Sequence, residues 1–162
     1  MASFSSVTAT LTVGQIGQLG YGEQADLLVR SYVLVNATDV PPGRGVVYDA
    51  ANQSAMLPNA GSQLFLGVAF NDGSLPIEQA AYDNAATCNM PVLRRGQVWV
   101  ETSTGCAPTD PVFFQHTAGV GKPAGSFRID NDGGAATQIT AGAQWAGVYS
   151  SGKALLQINL PA

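Results

Sequence analysis

The stretch LRRGQVWVE, residues 93–101, indicates what kind of fold this chain adopts. After Gly96 the residues alternate as they do along an extended strand, in which successive side chains point to opposite faces. One face carries Val98 and Val100, and the other face carries the remaining three: Gln97, Trp99 and Glu101. The stretch therefore predicts a β-strand with one face in a hydrophobic core.

Similar short apolar segments succeed one another from residue 27 onwards, each bounded by Gly, Pro, Asn, Asp or Ser. They include LLVRSYVLV (27–35), VVYDA, QLFLGVAF (63–70), PVFFQH, GSFRID, TQIT, QWAGVYS and KALLQINL. Many short strands with almost no helix predict an all-β protein, with an antiparallel jelly-roll, β-sandwich or barrel domain over residues 27–162. Gly67 suggests a bulge or a tight contact, and residues 76–86 are the one candidate for a short helix.

Residues 1–26 have a different composition, with glycines that interrupt a helix and no charge before Glu23. Their large apolar residues are too widely spread to form one buried face. We therefore predict an extended N-terminal arm that lies on a neighbouring subunit or another protein. The candidate contacts within it are Phe4, Leu11, Val13, Ile16, Leu19 and Tyr21.

The overall composition excludes several functional classes. Of the 162 residues only 11% are charged, and the formal net charge is −4. No basic cluster exceeds two residues, which argues against nucleic-acid and membrane-surface partners. No apolar run is long enough to span a membrane and the N-terminus lacks the features of a secretory signal, so we expect the chain to be made in the cytoplasm. Cys88 and Cys106 are therefore expected to be reduced thiols.

The candidate catalytic and metal-binding motifs in the sequence do not have the spacing that their chemistry requires. His116 is the only histidine, and its position predicts a packing or surface residue at a strand end. Residues 130–134 begin like a calcium loop but lack the required ligands, which favours a tight turn. GVGKPAG (119–125) departs from both phosphate-loop patterns. We predict a protein that is not an enzyme and has no metal and no cofactor.

The adjacent Arg94 and Arg95 suggest a contact edge. If Gly96 breaks or kinks the strand, Arg94 and Arg95 point to opposite faces by the period-two rule. We then expect one to pair with a carboxylate of a neighbouring subunit and the other to stay on the domain's own surface. Arg30 and Trp99 complete the candidate contacts. Trp99 also alternates onto what would be the outer face of its strand, where packing under a neighbouring loop or arm is favoured over an exposed platform for a sugar.

Several segments occur in an order that resembles the capsid cement (decoration) proteins of tailed bacteriophages. They are GRGVVYDAANQ (43–53), QLFLGVAF (63–70), PVLRRGQVWVET (91–102), DPVFFQHTAG (110–119), AGSFR (124–128) and AQWAGVYSSGKALLQINLP (143–161). The resemblance implies a jelly-roll-type domain on the capsid exterior of the virion. It further implies a homodimer or homotrimer that bridges major capsid subunits and stabilises the expanded shell. Residues 74–90 and the two cysteines depart from this pattern.

Two other functions are compatible with the sequence. A carbohydrate-binding β-sandwich displayed on a virion would need Trp99, Trp145 or tyrosines exposed as a flat platform. A β-barrel hydrolase would need His116 as its base.

Overall fold

A computed structural model describes residues 16–20, 27–34, 38–72, 81–83 and 89–161. Within these ranges the chain forms strands and a single 3-10 turn, Asp132–Gly134. The strands are β1 Leu28–Val33, β2 Gly45–Asp49, β3 Ser54–Met56, β4 Phe65–Ala69, β5 Asn89–Glu101, β6 Phe113–Gln115, β7 Phe127–Arg128, β8 Ala136–Gln138, β9 Ala143–Ser150 and β10 Lys153–Asn159. The predicted all-β class is confirmed.

The strands form two antiparallel sheets. The larger sheet has the order β3-β2-β4-β5-β10-β9, with β1 also paired to β5, and the smaller sheet has the order β7-β6-β8. Leu34, directly after β1, forms a parallel bridge with Ala55 of β3. This bridge closes a ring through β1, β5, β4, β2 and β3, so one end of the larger sheet curls into a small barrel.

Two hydrophobic cores lie on opposite sides of the strands shared by the barrel and the sandwich. The barrel core contains Leu34, Val40, Val46, Ala55, Leu66, Ala69, Tyr82, Met90 and Val92. The sandwich core lies between the two sheets and contains, among others, Val47, Val68, Leu93, Val98, Val100, Phe114, Phe127, Trp145, Leu156 and Ile158. Strands β2, β4 and the first half of β5 are therefore buried on both faces, which explains their nearly continuous apolar sequence.

The helix predicted for residues 76–86 is wrong at residues 81–83, and its other residues lie outside the described ranges. Tyr82 forms an antiparallel bridge with Val40, through N–H···O bonds of 3.1 and 2.9 Å. Its side chain is 2% exposed, and its hydroxyl donates to the Phe70 carbonyl over 2.6 Å. Burial of an aromatic ring in the barrel core outweighs the local preference for helix.

The bulge or tight contact predicted at Gly67 is confirmed. The register between β2 and β4 shifts between Val46, opposite Gly67, and Val47, opposite Phe65. A Cβ on Gly67 would overlap the Leu93 carbonyl oxygen. The missing side chain thus allows β4 to approach β5 closely.

Candidate functional site: contact surfaces of the two sheets

Residues 16–20 act as an additional strand on β5. The Gly17 amide donates to the Trp99 carbonyl (2.7 Å), the Trp99 amide to the Gln18 carbonyl (2.8 Å) and the Gly20 amide to the Gln97 carbonyl (2.7 Å). Because β10 pairs with these same residues of β5, the segment must occupy the opposite edge. This is β-strand addition within one chain, and it satisfies backbone groups that an open edge would leave unpaired.

Two glycines allow this segment to lie against the turn that precedes β2. Gly17 and Gly43 both have φ of 82°, a conformation that favours glycine. A Cβ on Gly17 would overlap Pro42, and a Cβ on Gly43 would overlap the Ile16 side chain. The Gly17 carbonyl also accepts a bond of 2.9 Å from the Asn71 amide. The docked segment is therefore fixed by shape as well as by hydrogen bonds.

The arm predicted over residues 1–26 thus contains a part that binds this chain's own sheet. Leu19 bridges to Val98 and packs against the sandwich core. Ile16 is half-buried beside Gly43. The other arm candidates, Phe4, Leu11, Val13 and Tyr21, lie outside the described residues.

The arginine pair lies at a β-bulge, which interrupts the alternation on which our expectation rested. Val29 is opposite Leu93 and Leu28 is opposite Arg95, so Arg94 is the extra residue. Leu93 and Val98 consequently share one core, although strict alternation would place them on opposite faces. The bulge therefore removes the support that period two gave to opposite orientations of Arg94 and Arg95, and those orientations stay a prediction.

The three candidate arginines differ in their surroundings. Arg94 and Arg95 are half-buried, whereas Arg30 on β1 is exposed. The Arg94 guanidinium donates a long hydrogen bond of 3.5 Å to the Tyr32 hydroxyl. That one of the pair binds a neighbouring subunit remains a prediction.

Trp99 is covered, as expected for a side chain that packs under a neighbouring loop or arm. It is 1% exposed and Trp145 is 2% exposed. Trp99 is opposite the buried Leu155 of β10, and Gly20 of the docked segment lies against Leu155. The face that alternation identified as outer is covered here, so neither tryptophan provides a platform for a sugar or a direct contact for another protein.

An ionic network centred on a buried arginine, which sequence reasoning missed, organises the smaller sheet. Arg128 is 4% exposed. Its guanidinium contacts Asp130 (2.5 Å) and Asp132 (3.0 Å) and donates to the Gln115 side chain (3.0 Å). Lys122 contacts the other oxygen of Asp132 at 2.5 Å. Hydrogen bonds from Lys122 and then from Gln115 are the main reasons that the pKa of Asp132 is lowered.

The tight turn predicted at residues 130–134 is confirmed. The Gly134 amide donates to the Asn131 carbonyl over 2.8 Å, and Asn131 caps the turn by accepting from the Gly133 amide. Its two carboxylates face Arg128 and Lys122. Among the residues that the structure describes, no group of three or more His, Cys, Asp or Glu is arranged to hold a metal ion.

A second buried cation connects the turn that precedes β2 to the end of β5. Arg44, which follows Gly43, contacts Glu101 at 2.5 Å. Burial lowers the pKa of Arg44, and the nearby Glu101 carboxylate opposes that shift. The pair secures the turn against which residues 16–20 dock.

His116 and Cys106 are both partly buried among neighbouring side chains. His116 directly follows β6, as predicted for a strand-end residue, and its Nδ1 lies 3.0 Å from the Thr117 hydroxyl. It lines a surface cleft of about 450 Å3. Cys106 is a free thiol against the sandwich core. Burial, followed by the Asp110 charge, raises the pKa of Cys106 to about 11. Cys88 lies outside the described residues.

The described residues form a small antiparallel β protein. Its candidate sites are strand edges and surface regions for contact with other proteins. Residues 4–160 match the family model described as "Structural cement protein (E217 gp24/Pam3 gp6)". The chain belongs to this family of phage structural cement proteins, which are structural proteins of the virion. The predicted resemblance is thereby confirmed.

A solved structure, "The capsid of Myoviridae Phage XM1", contains a chain with a similar fold. The TM-score is 0.72 with 18% sequence identity, and the match covers 98% of each chain. At that identity the likeness shows the fold. A comparison with curated proteins finds no match. Within the described ranges, no helix is long and apolar enough to cross a membrane.

Proposed function

We propose that this protein binds the outer surface of a phage head and bridges neighbouring major capsid subunits, which stabilises the expanded shell. The observation that carries this proposal is the match to the structural cement family over residues 4–160. The role is mechanical and requires no catalysis. Many copies with modest interfaces would together hold a shell tightly, because each further contact within the lattice is effectively intramolecular.

The docked segment supports a specific role for the residues before it. Since residues 16–20 are fixed on β5, the preceding chain starts from a defined place beside Gly17 and Gly43. Residues 1–15 contain spaced apolar groups, including Phe4, Leu11 and Val13. In the proposed role these groups bind an adjacent subunit, and their burial offsets an ordering cost of about 1–2 kcal/mol per residue.

The test is a truncation that leaves the docked segment intact. A variant lacking residues 2–13 should keep its fold but bind expanded shells more weakly, and shells saturated with it should melt at a lower temperature than shells with the full chain. Cosedimentation and calorimetry measure the two effects. A second variant is the full-length chain with Phe4, Leu11 and Val13 all changed to Ser. It keeps the length of the chain and should lose the same function, which separates the apolar contacts from the length of the arm.

The outcomes separate the proposal's two parts. If the truncated chain protects shells as well as the full chain, the role of residues 1–15 is wrong while the cement function stands. If the full chain binds neither expanded shells nor virions, the cement function itself is wrong. Negligible binding to free coat subunits is expected, because the proposed site is formed where assembled subunits meet.

A further inference from the structure

Strand β1 brings an exposed arginine to the same face as the arginine of the β-bulge. Residues 29–33 of β1 pair with β5 in unbroken register, so Arg30 and Tyr32, two residues apart, lie on one face of the strand. The Arg94 guanidinium donates to the Tyr32 hydroxyl over 3.5 Å, which brings it to that same face. We call Arg30, Tyr32 and Arg94 the basic surface.

No acidic residue accompanies these arginines in the segments that carry them. Residues 27–38 and 84–100 contain no Asp or Glu, and they include three of the seven basic residues of the chain. Guanidinium groups on one face repel each other, and an anion placed between them relieves the repulsion. The basic surface is therefore a local positive charge on a protein whose formal net charge is −4.

Cations elsewhere in the structure contact a carboxylate of their own chain. Lys122, in the turn at residues 119–122, contacts Asp132 at 2.5 Å, and Arg44 contacts Glu101 at 2.5 Å. Within the described ranges, the two arginines of the basic surface form no such ion pair. Their charge is thus available to a group outside the described part of the chain.

The surroundings of the basic surface are typical of a protein interface. Leu27, next to β1, is 44% exposed, and Val33, at the end of β1, is 41% exposed. Arginine and tyrosine are the residue types enriched where proteins meet, and they contribute most of the binding energy there. Arg94 is half-buried and already held by Tyr32, so it loses less conformational freedom on binding than a fully solvated arginine would.

We propose that the basic surface binds an acidic segment of the major capsid protein on the assembled shell, an inference that rests on the proposed cement function. The planar fork of a guanidinium matches the two oxygens of a carboxylate, so Arg30 and Arg94 together select a partner with two nearby Asp or Glu side chains. Nucleic acid is the poorer occupant, because so few cations would release few counterions from its phosphates.

Cosedimentation of the full-length protein with expanded shells, over a salt series, measures this contact. Arg30→Gln should weaken binding about tenfold at low salt, the loss expected for one charge-assisted hydrogen bond, and by less at high salt. Arg94→Gln should act in the same way. Gln138→Glu is the matched control, because it changes the net charge by the same amount as either variant at an exposed position of β8, and it should keep binding within about twofold.

A zero-length cross-link identifies the group that the basic surface contacts. Arg30→Lys introduces a primary amine, which a carbodiimide joins to a carboxylate in direct contact. Mass spectrometry of the cross-linked peptides should then find an Asp or Glu of the major capsid protein. Gln138→Lys introduces the same amine on the smaller sheet and should give no cross-link to the capsid protein. Urea midpoints close to that of the unaltered chain confirm that the variants are folded.

The outcomes distinguish this inference from the proposed function. Shell binding that is indifferent to salt, to Arg30→Gln and to Arg94→Gln would overturn the inference and leave the cement function standing. A cross-link to another copy of this chain, or to the capsid protein equally from Gln138→Lys, would also overturn it. Loss of binding after nuclease treatment of the shells would assign the surface to nucleic acid instead. A full chain that does not sediment with shells would overturn both proposals.

Discussion

The docked segment at residues 16–20 and the turn at residues 119–122 are both surface elements, but different forces hold them. Main-chain hydrogen bonds and the close fit of Gly17 against Pro42 hold the segment on β5. The turn depends on charged side chains that converge on Arg128. The contacts that the segment itself makes are uncharged and should be indifferent to salt and pH, whereas those of the turn should respond to both. Four predictions test this contrast.

The largest effect is expected at the centre of the ionic network. Arg128→Met should destabilise the protein by about 3 kcal/mol, because the buried Gln115 side chain loses its charged hydrogen-bond partner and Met replaces none of the guanidinium's contacts. Urea unfolding measures the loss. Arg30→Met, which alters an exposed arginine, should change stability by less than about 0.5 kcal/mol. Similar values for the two variants would mean that the network is not structurally important.

The next effect concerns the docked segment. Gly17→Ala should cost about 2–3 kcal/mol, because the positive φ is strained and the new methyl group overlaps Pro42. Gly133→Ala is the matched control, since Gly133 has φ of 66° with nothing within 4 Å of an added Cβ, and should cost about 1 kcal/mol. Hydrogen exchange should accelerate at the Trp99 amide in the first variant alone. Equal exchange there in both variants would contradict shape-specific docking.

The third prediction is a dependence on pH. Because the pKa of Asp132 is lowered in the folded protein, its contribution to stability is present above its unfolded pKa of about 3.9 and is lost as pH falls through the lower folded value. The urea midpoint should therefore fall more steeply below about pH 4 in the unaltered chain than in Asp132→Asn. Parallel curves for the two proteins would exclude this contribution.

The smallest effect should come from the exposed end of the network. The Lys122 side chain is 41% exposed, so Lys122→Met should lower the melting temperature slightly at low salt and the difference should shrink at high salt. The difference between Gly17→Ala and the unaltered chain should not change with salt. A salt-independent effect of Lys122→Met would place this contact among the packing interactions.

Sequence patterns predicted the fold class because strand alternation and turn residues act locally. They also identified Gly67, the turn at residues 130–134 and the family. They favoured a covered Trp99, but alternation separates only the two faces of a strand and does not say that residues 16–20 pair with it. The bulge at Arg94 was missed because an extra residue becomes visible only when the partner strand β1 is placed opposite.

The sequence by itself determined that the fold is all-β, that the protein carries little charge and that it belongs to the cement family. These three properties follow from composition and from the order of local patterns. Only the tertiary structure decided that β5 serves two cores, that residues 16–20 pair with residues 97–99, and that the buried Arg128 binds the carboxylates of Asp130 and Asp132. Each of these depends on contacts between residues far apart in the chain, whose free energies no local pattern contains. LRRGQVWVE was correctly predicted to form a strand, whereas the segments that pair with its two edges were identified only by the tertiary structure.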